Sequence, residues 1–160
     1  LSRFVPAGVE LAIKWPNDIV ARGGEKERKL AGILIECRQG LTLVGIGINC
    51  TPLTSNAGEA VWGRAVSLEE LGSSVSRPEV LCGLVERMGY WFAAERGAVR
   101  DYYRANDALV GTVRAFGLGQ ETCRGLVEDL DPLESITIAT ADGPRTLPIA
   151  QARHLREEAD

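Results

Sequence analysis

Residues 9–15 alternate between apolar side chains, including Leu11, Ile13 and Trp15, and polar or small ones such as Lys14. An alternation of period two is typical of a β-strand with one buried face. We therefore predict a strand over residues 9–15 that places its apolar side against a core. The Pro-Asn-Asp tripeptide that follows has the chemistry of a turn, because proline cannot extend a strand ladder and Asn or Asp can bond the local backbone.

Two further strands are predicted by the apolar runs at residues 30–37 and 41–49. A hairpin that closes between Arg38 and Leu41 places Gly32 opposite Gly47, and Asn49 falls on the same face as these glycines. Glycine weakens a strand and offers no packing area, so several glycines together usually mark a place where a ligand or another backbone comes close. The pattern therefore predicts a patch of sheet without side chains.

The polar residues 50–62 predict a loop beside this patch that can act as a lid. A short helix is expected from Ser67 to Gly72, and a longer one begins after Ser76 and continues at helical spacing to about residue 95. Another helix is expected over residues 98–108.

The periodicity changes at residue 109, where short alternating segments are separated by glycine and Asp-Pro turns. We predict strands at residues 109–116, 121–131, 135–140 and 145–150, forming a small β-barrel. The predicted fold class is α+β, with a mixed sheet and packed helices followed by the barrel.

Composition narrows the range of partners. The 160 residues carry a net charge of -4 and no long basic stripe, which argues against nucleic acid as a partner of this segment. No apolar run has the length of a membrane span. The four cysteines form no CxxC pair, so neither zinc nor a disulfide framework is indicated, and a reducing cytoplasmic location is expected.

Three motifs occur in order: KWPND at residues 14–18, RKLAGILIE at residues 28–36 and VGIGIN at residues 44–49. Together they resemble the catalytic core of biotin protein ligases, the biotin–[acetyl-CoA-carboxylase] ligase family. The tail GLVEDLDPLESITIATADG is similar to the SH3-like C-terminal domain of that family. The resemblance implies a class II aminoacyl-tRNA synthetase-like core at residues 1–107 and an SH3-like domain at residues 108–160. It also implies an N-terminally incomplete core, because the family's glycine- and arginine-rich loop lies upstream of KWPND.

The resemblance further implies an ATP-binding ligase whose cofactors are ATP and Mg²⁺ and whose substrate is biotin. The family activates biotin as biotinyl-5′-AMP and transfers it to a lysine of a biotin carboxyl carrier domain, as in acetyl-CoA carboxylase. The biotin carboxylate and the α-phosphate are both anions, so the reaction needs a cation between them. Lys29 matches the family lysine of the RKLAG motif and is the expected catalytic residue, although composition alone favours an ordinary solvated charge.

Several further residues match binding positions of the family. Asn17, Asp18 and Asn49 match positions around the nucleotide phosphates and the metal, with Asp18 as the expected Mg²⁺ ligand. Lys14 matches the lysine before Trp-Pro-Asn-Asp, and either a phosphate or a neighbouring carboxylate can be its partner. A simpler interpretation makes Asn17 and Asp18 ordinary turn residues.

The remaining matched positions are expected to enclose the ligands. Gly32 and Gly47 match glycines that line the biotin and adenylate side, and Trp62 resembles a tryptophan that covers the adenine. A buried anchoring role for Trp62 is the competing interpretation.

Two other functions stay open. One is lipoate or octanoyl transfer, because those enzymes resemble biotin ligases in fold. The other is a catalytically incomplete module that binds the carrier domain without activating biotin. An exposed edge at the predicted hairpin is also consistent with a homodimer.

Overall fold

The computed structural model describes residues 1–24, 26–52 and 64–155. The chain divides into two compact units, Leu1–Ala94 and Glu95–Asp160. Within the described residues there are two sheets and two helices, so the α+β class is confirmed. The assignment of domains to residues 1–107 and 108–160 stays a prediction, and the compact units place the second helix with the C-terminal sheet.

The first unit contains a four-stranded sheet in the order β1-β2-β3-β4. Its strands are β1 (Glu10–Lys14), β2 (Asp18–Arg22), β3 (Arg28–Arg38) and β4 (Leu41–Ile48). All the pairs are antiparallel, whereas the sequence suggested a mixed sheet. The reason is that each strand follows its neighbour after a short turn, which forces antiparallel pairing. Strand β2 was not predicted, because its five residues follow directly on the turn.

The predicted hairpin register is confirmed. Arg38 pairs with Leu41, Gly32 with Gly47 and Leu34 with Gly45. Because side chains alternate with period two, this single pairing fixes which face of β3 and β4 each glycine occupies.

The core of the first unit lies on one face of the sheet. Its buried members are Ala21, Leu30, Val66, Leu68 and Val80. Leu11 packs against this cluster, as the alternation of the first strand predicted. The buried segment around Val66 and Leu68 therefore connects the sheet to the helix that carries Val80.

Helix α1 (Arg77–Phe92) begins at a capping box, in which the Ser76 hydroxyl accepts from the Glu79 backbone and the Glu79 carboxylate accepts from the Ser76 backbone. The hydrogen bond from the Ser76 side chain lowers the pKa of Glu79. Pro78 fits here because the first turn needs no backbone donor from it. The predicted helix start is confirmed.

The prediction of a short helix between Ser67 and Gly72 is wrong. The Ser67 hydroxyl and Glu70 carboxylate do form a local cap, but the segment contains only a turn before Gly72 adopts a φ of +86°. A single hydrogen-bonded turn is too short to propagate as a helix.

Helix α1 presents a small residue to the start of the chain. Gly83 is buried, and a Cβ placed on it would overlap the Arg3 guanidinium and lie 2.6 Å from the Phe4 ring. The opposite side of α1 is apolar and exposed, with Leu81, Val85 and Phe92 at 60%, 61% and 76% exposure. The helical spacing was therefore predicted correctly, although only part of its apolar surface is buried in this chain.

The second unit contains α2 (Arg96–Ala105) and a five-stranded antiparallel sheet in the order β8-β7-β6-β5-β9. The strands are β5 (Val113–Leu118), β6 (Glu121–Asp131), β7 (Ser135–Thr140), β8 (Gly143–Pro148) and β9 (Ala152–Leu155). The four predicted strands correspond to β5–β8, and β9 was missed. An SH3-like closure of this sheet stays a prediction.

Helix α2 is held to the end of β6 by charges. The Asp131 carboxylate, 8% exposed, lies 2.7 Å from Arg100 Nε, and its other oxygen accepts from the Leu133 backbone. Arg104 pairs with the half-exposed Asp129 at 2.8 Å. A buried carboxylate is tolerated only when it is paired and hydrogen-bonded, so Asp131 fixes the position of the helix on the sheet.

None of the helices described is long and apolar enough to cross a membrane.

We expect Gly83→Ala to lower the free energy of unfolding of the first unit by about 1–3 kcal/mol, because the added methyl group meets the Phe4 ring. Gly89→Ala, in the same helix, is the matched control, since a Cβ there has nothing within 4 Å. This control should raise stability by about 0.5–1 kcal/mol through helix propensity. Urea unfolding followed by circular dichroism measures both, and a shift of the two midpoints in the same direction would contradict the packing at Gly83.

We expect Asp131→Asn to destabilise the second unit by about 1–3 kcal/mol, because Arg100 Nε then loses its buried charged partner and the guanidinium keeps only the exposed Glu134. The control Asp129→Asn removes an exposed pair and should cost less than about 1 kcal/mol. Amide hydrogen exchange in β6 and β7 reports the loss for this unit alone. Equal effects of the two substitutions would show that burial of Asp131 does not matter.

Candidate functional site

Cross-strand pairing places four of the predicted site residues in one line across the sheet. Lys14 lies opposite Asp18, Asp18 opposite Gly32, and Gly32 opposite Gly47. Residues that are directly opposed in a sheet share a face, so we call these four the cross-strand row. The sequence predicted the glycine pair, and pairing with β2 and β1 adds Asp18 and Lys14 to it.

Lys29 joins the same face because β3 has one extra residue at Leu30. Ile19 pairs with Ala31 and Val20 pairs with Lys29, so Leu30 has no opposite residue on β2. In a regular strand, residues three apart point to opposite faces, and one bulged residue shifts that alternation. The Leu30 side chain is fully buried in the core, which holds the bulge in place.

The Lys29 ammonium lies over Gly32 and contacts Asp18. Its Nζ is 2.5 Å from Asp18 Oδ1, and the two side chains are 43% and 25% exposed. A Cβ placed on Gly32 would lie 2.9 Å from Lys29 Nζ, 3.0 Å from its Cε and 3.4 Å from Asp18 Oδ1. The missing side chain at Gly32 therefore makes room for the ion pair.

The glycines of β4 have a different setting. A Cβ on Gly47 would meet only the Gly32 carbonyl oxygen at 4.0 Å, and one on Gly45 would be in ordinary contact with Leu34. Among the described residues, packing requires no glycine at either position, and both are exposed. Glycines in such a setting are consistent with the close approach of a ligand or of another backbone.

Asn49 connects the Lys29 backbone to the segment after residue 63. Its Nδ2 donates to the carbonyls of Lys29, at 3.2 Å, and Val66, at 3.1 Å. The Lys29 backbone also donates to Arg64 O and accepts from Val66 N, at 2.7 and 2.9 Å. Both hydrogens of the Asn49 amide are used in this way, so only its oxygen is left, as an acceptor, for a ligand. If Asn49 contacts the nucleotide or the metal, as its motif position predicts, it does so through its side-chain oxygen.

Asn17 bonds the turn to β3. Its side-chain Nδ2 donates to Ile33 O at 2.7 Å, and its backbone carbonyl accepts from Ile33 N at 2.9 Å. One hydrogen of the amide and its oxygen are available for other partners. The side-chain bond of Asn17 thus reaches β3 and not the local backbone of the turn, which is where the sequence analysis placed it. A contact with nucleotide phosphates stays a prediction.

Lys14 has a carboxylate partner that the sequence analysis did not identify. Its Nζ lies 3.0 Å from Glu27 Oε2, and Glu27 Oε1 lies 3.7 Å from Arg22 Nε. All three side chains are between 22% and 28% exposed. The carboxylate that the sequence allowed as a partner for Lys14 is therefore Glu27, and a contact between Lys14 and a phosphate stays a prediction. Glu27 was missed because it belongs to a run of charged residues whose spacing carries no information about pairing.

A metal site made by protein side chains alone is not found in the described part of the chain, where no group of three His, Cys, Asp or Glu residues converges. Asp18 is the one carboxylate of the cross-strand row.

Trp62, which the sequence analysis predicted to cover the adenine, lies outside the described residues. A concavity of about 500 Å³ lies between the end of β4 and α1, and Asn49 lines it whereas Lys29 and Asp18 do not.

Comparison with known proteins places these residues in a family. A family model described as the biotin/lipoate A/B protein ligase family matches residues 6–52, the region that holds the cross-strand row and Lys29. The biotin–[acetyl-CoA-carboxylase] ligase of Mycobacterium tuberculosis (strain ATCC 25618 / H37Rv) is 37% identical over 130 residues, covering 76% of this chain and 45% of that protein. The ligase of the same name from Paracoccus denitrificans is 29% identical over 153 residues, covering 88% of this chain and 62% of that protein.

The fold is shared with a solved ligase. The structure of biotin protein ligase from Aquifex aeolicus in complex with biotin and ATP has a TM-score of 0.71 at 24% sequence identity, covering 92% of this chain and 62% of that chain. At this identity the likeness concerns the fold. This chain spans 45% and 62% of the lengths of its two relatives. The three-motif resemblance is confirmed by these matches: residues 6–52 match the model of the biotin/lipoate A/B protein ligase family, and the chain is similar to biotin protein ligases over most of its length.

Proposed function

We propose that this chain contributes the Lys29 site and the C-terminal unit of an ATP-dependent biotin protein ligase. The enzyme activates biotin as biotinyl-5′-AMP, with release of pyrophosphate, and transfers biotin to a lysine of a carrier domain. The observation that carries the proposal is the Lys29 ammonium held at 2.5 Å from Asp18, above Gly32 and beside the exposed Gly47.

The first step needs a cation at the point where two anions meet. A biotin carboxylate oxygen attacks the α-phosphorus, and the bond from that phosphorus to the pyrophosphate oxygen breaks. Lys29 is positioned to contact both the carboxylate and the α-phosphate, and its charge offsets their repulsion as they approach. The glycine faces of β3 and β4 allow the ligand to lie directly on the backbone.

Asp18 fits a magnesium ion that is shared with the nucleotide. Mg²⁺ is commonly held by one or two carboxylates together with substrate phosphates and water, so a single carboxylate suffices. When bound, the ion would neutralise phosphate charge. The oxygens of Asn17 and Asn49 are the nearby neutral groups for the same role or for the nucleoside.

In the second step the amine of an acceptor lysine attacks the mixed anhydride carbonyl, and AMP leaves. The names of the relatives refer to acetyl-CoA carboxylase, so the proposed acceptor is the biotin carboxyl carrier domain of that enzyme or a related carboxylase, in the cytoplasm. Strand β4 forms an edge of its sheet, and Leu41 and Leu43 on it are 67% and 55% exposed. This edge is the surface we assign to pairing with a second copy of the chain.

We expect Lys29→Ala to lower biotin-dependent pyrophosphate exchange about 10²–10³-fold, the scale for losing one group that stabilises transition-state charge. The wild-type protein and the Lys29→Ala variant are each assayed with biotin, ATP, Mg²⁺ and labelled pyrophosphate. The loss should appear mainly in kcat.

The matched control is Lys26→Ala, which removes an exposed lysine three positions away. It should leave exchange within about twofold of the wild-type rate, as is usual for an exposed surface charge. Equal losses in the two variants would assign the effect to net charge, and unchanged exchange in Lys29→Ala would remove Lys29 from the proposed role.

The family model covers both biotin and lipoate ligases, so the substrate needs its own test. We expect biotin to stimulate pyrophosphate exchange and lipoate to compete with it weakly, because RKLAG followed by VGIGIN resembles the biotin group. Exchange that depends on lipoate would favour the alternative transferase. Binding of an apo carrier domain without any affinity for biotin or ATP in calorimetry would favour a non-catalytic binding module.

A further inference from the structure

Two lysines, Lys14 of the cross-strand row and Lys29 of β3, have the same carboxylate, that of Asp18, as a neighbour. Lys14 lies directly opposite Asp18, with Cβ atoms at the short spacing of opposed residues, and it is on the same face. Lys29 contacts Asp18 from the other side, from β3. A single aspartate therefore has an ammonium available from each neighbouring strand.

The observed pairing leaves Asp18 to Lys29. Lys14 turns to Glu27, at 3.0 Å, and the second oxygen of Glu27 faces Arg22 at 3.7 Å. Arg22 is in turn 3.4 Å from the exposed Glu10. The charges alternate in sign along this network, and each cation has a different nearest carboxylate.

We propose that Glu27 is a positioning residue that holds Lys14 away from Asp18, and so keeps Asp18 available to Lys29 and to a metal-bound nucleotide. Glu27 acts through Lys14 and touches no substrate. If the Glu27 carboxylate is removed, Asp18 is the negatively charged residue of the cross-strand row with which Lys14 can pair. Lys14 then displaces Lys29, whose ammonium turns to solvent.

The inference deepens the proposed function, because the arrangement of Lys29 matters for catalysis only in a ligase. The pairing itself can be measured without any activity. The chain has three lysines, Lys14, Lys26 and Lys29, so acetylation by a trace of an amine-reactive ester gives three resolvable side-chain products in mass spectrometry. The exposed Lys26 serves as an internal reference.

We expect Glu27→Gln to raise the Lys29-to-Lys26 labelling ratio about threefold, the scale of a half-exposed ion pair, while Lys14 stays protected by Asp18. Adding Lys14→Met to Glu27→Gln should return the ratio to the wild-type value, because the competing ammonium is gone. A general loosening of the site cannot produce this rescue. Glu10→Gln is the matched control, since Glu10 contacts Arg22 and not Lys14, and the ratio should not change.

An unchanged Lys29 ratio in Glu27→Gln, with faster labelling of Lys14, would overturn the proposal, as would a raised ratio that persists in the double variant. If Glu27→Gln does not fold, Glu27→Asp replaces it in the same comparison, since the shorter side chain withdraws the carboxylate from Lys14. In the exchange assay, Glu27→Gln should lower kcat and Lys14→Met should restore part of it. Absence of exchange in the wild type would count against the ligase proposal and leave the labelling result to decide the role of Glu27.

Discussion

The site depends on one irregularity in strand pairing, the extra residue at Leu30. Regular alternation would place Lys29 on the face opposite to Gly32 and Asp18, and the cation would then be separated from its carboxylate by the sheet. The bulge buries Leu30 in the core and turns Lys29 to the face that carries Gly32 and Asp18. Packing of the hydrophobic core and placement of the charge therefore depend on the same feature of β3.

Glycine has two separate roles on this face. At Gly32 a side chain would collide with the ion pair, so the small residue serves the protein's own electrostatics. At Gly45 and Gly47 a side chain would fit among the described residues, so no described neighbour explains the small residue there. The distinction matters because a glycine-rich strand in a sequence does not show which of its glycines are required by neighbouring atoms and which by a ligand.

Much of this arrangement was accessible from the sequence. Period-two alternation and the Gln-Gly turn gave the register of β3 and β4, and with it the Gly32–Gly47 pair. The motifs gave the family and pointed to Lys29 and Asp18. The bulge was not predictable, because it is decided by how Leu30 packs against Val66 and Val80, which are distant in sequence. The partner of Lys14 was likewise hidden among several nearby charges, since ion pairing depends on side-chain positions that spacing does not encode.

The double use of Asn49 has a consequence for how related chains can vary. Its backbone accepts from Leu68 at 2.8 Å and donates to Leu30 at 3.0 Å, while its side chain binds Val66. The chain leaves Asn49 and returns to the same small cluster of hydrogen bonds at residues 64–68, so the ends of the intervening stretch are closed by the framework itself. Replacing Asn49 would remove the side-chain hydrogen bonds to Lys29 O and Val66 O together, so few substitutions at this position would keep the Lys29 backbone in place.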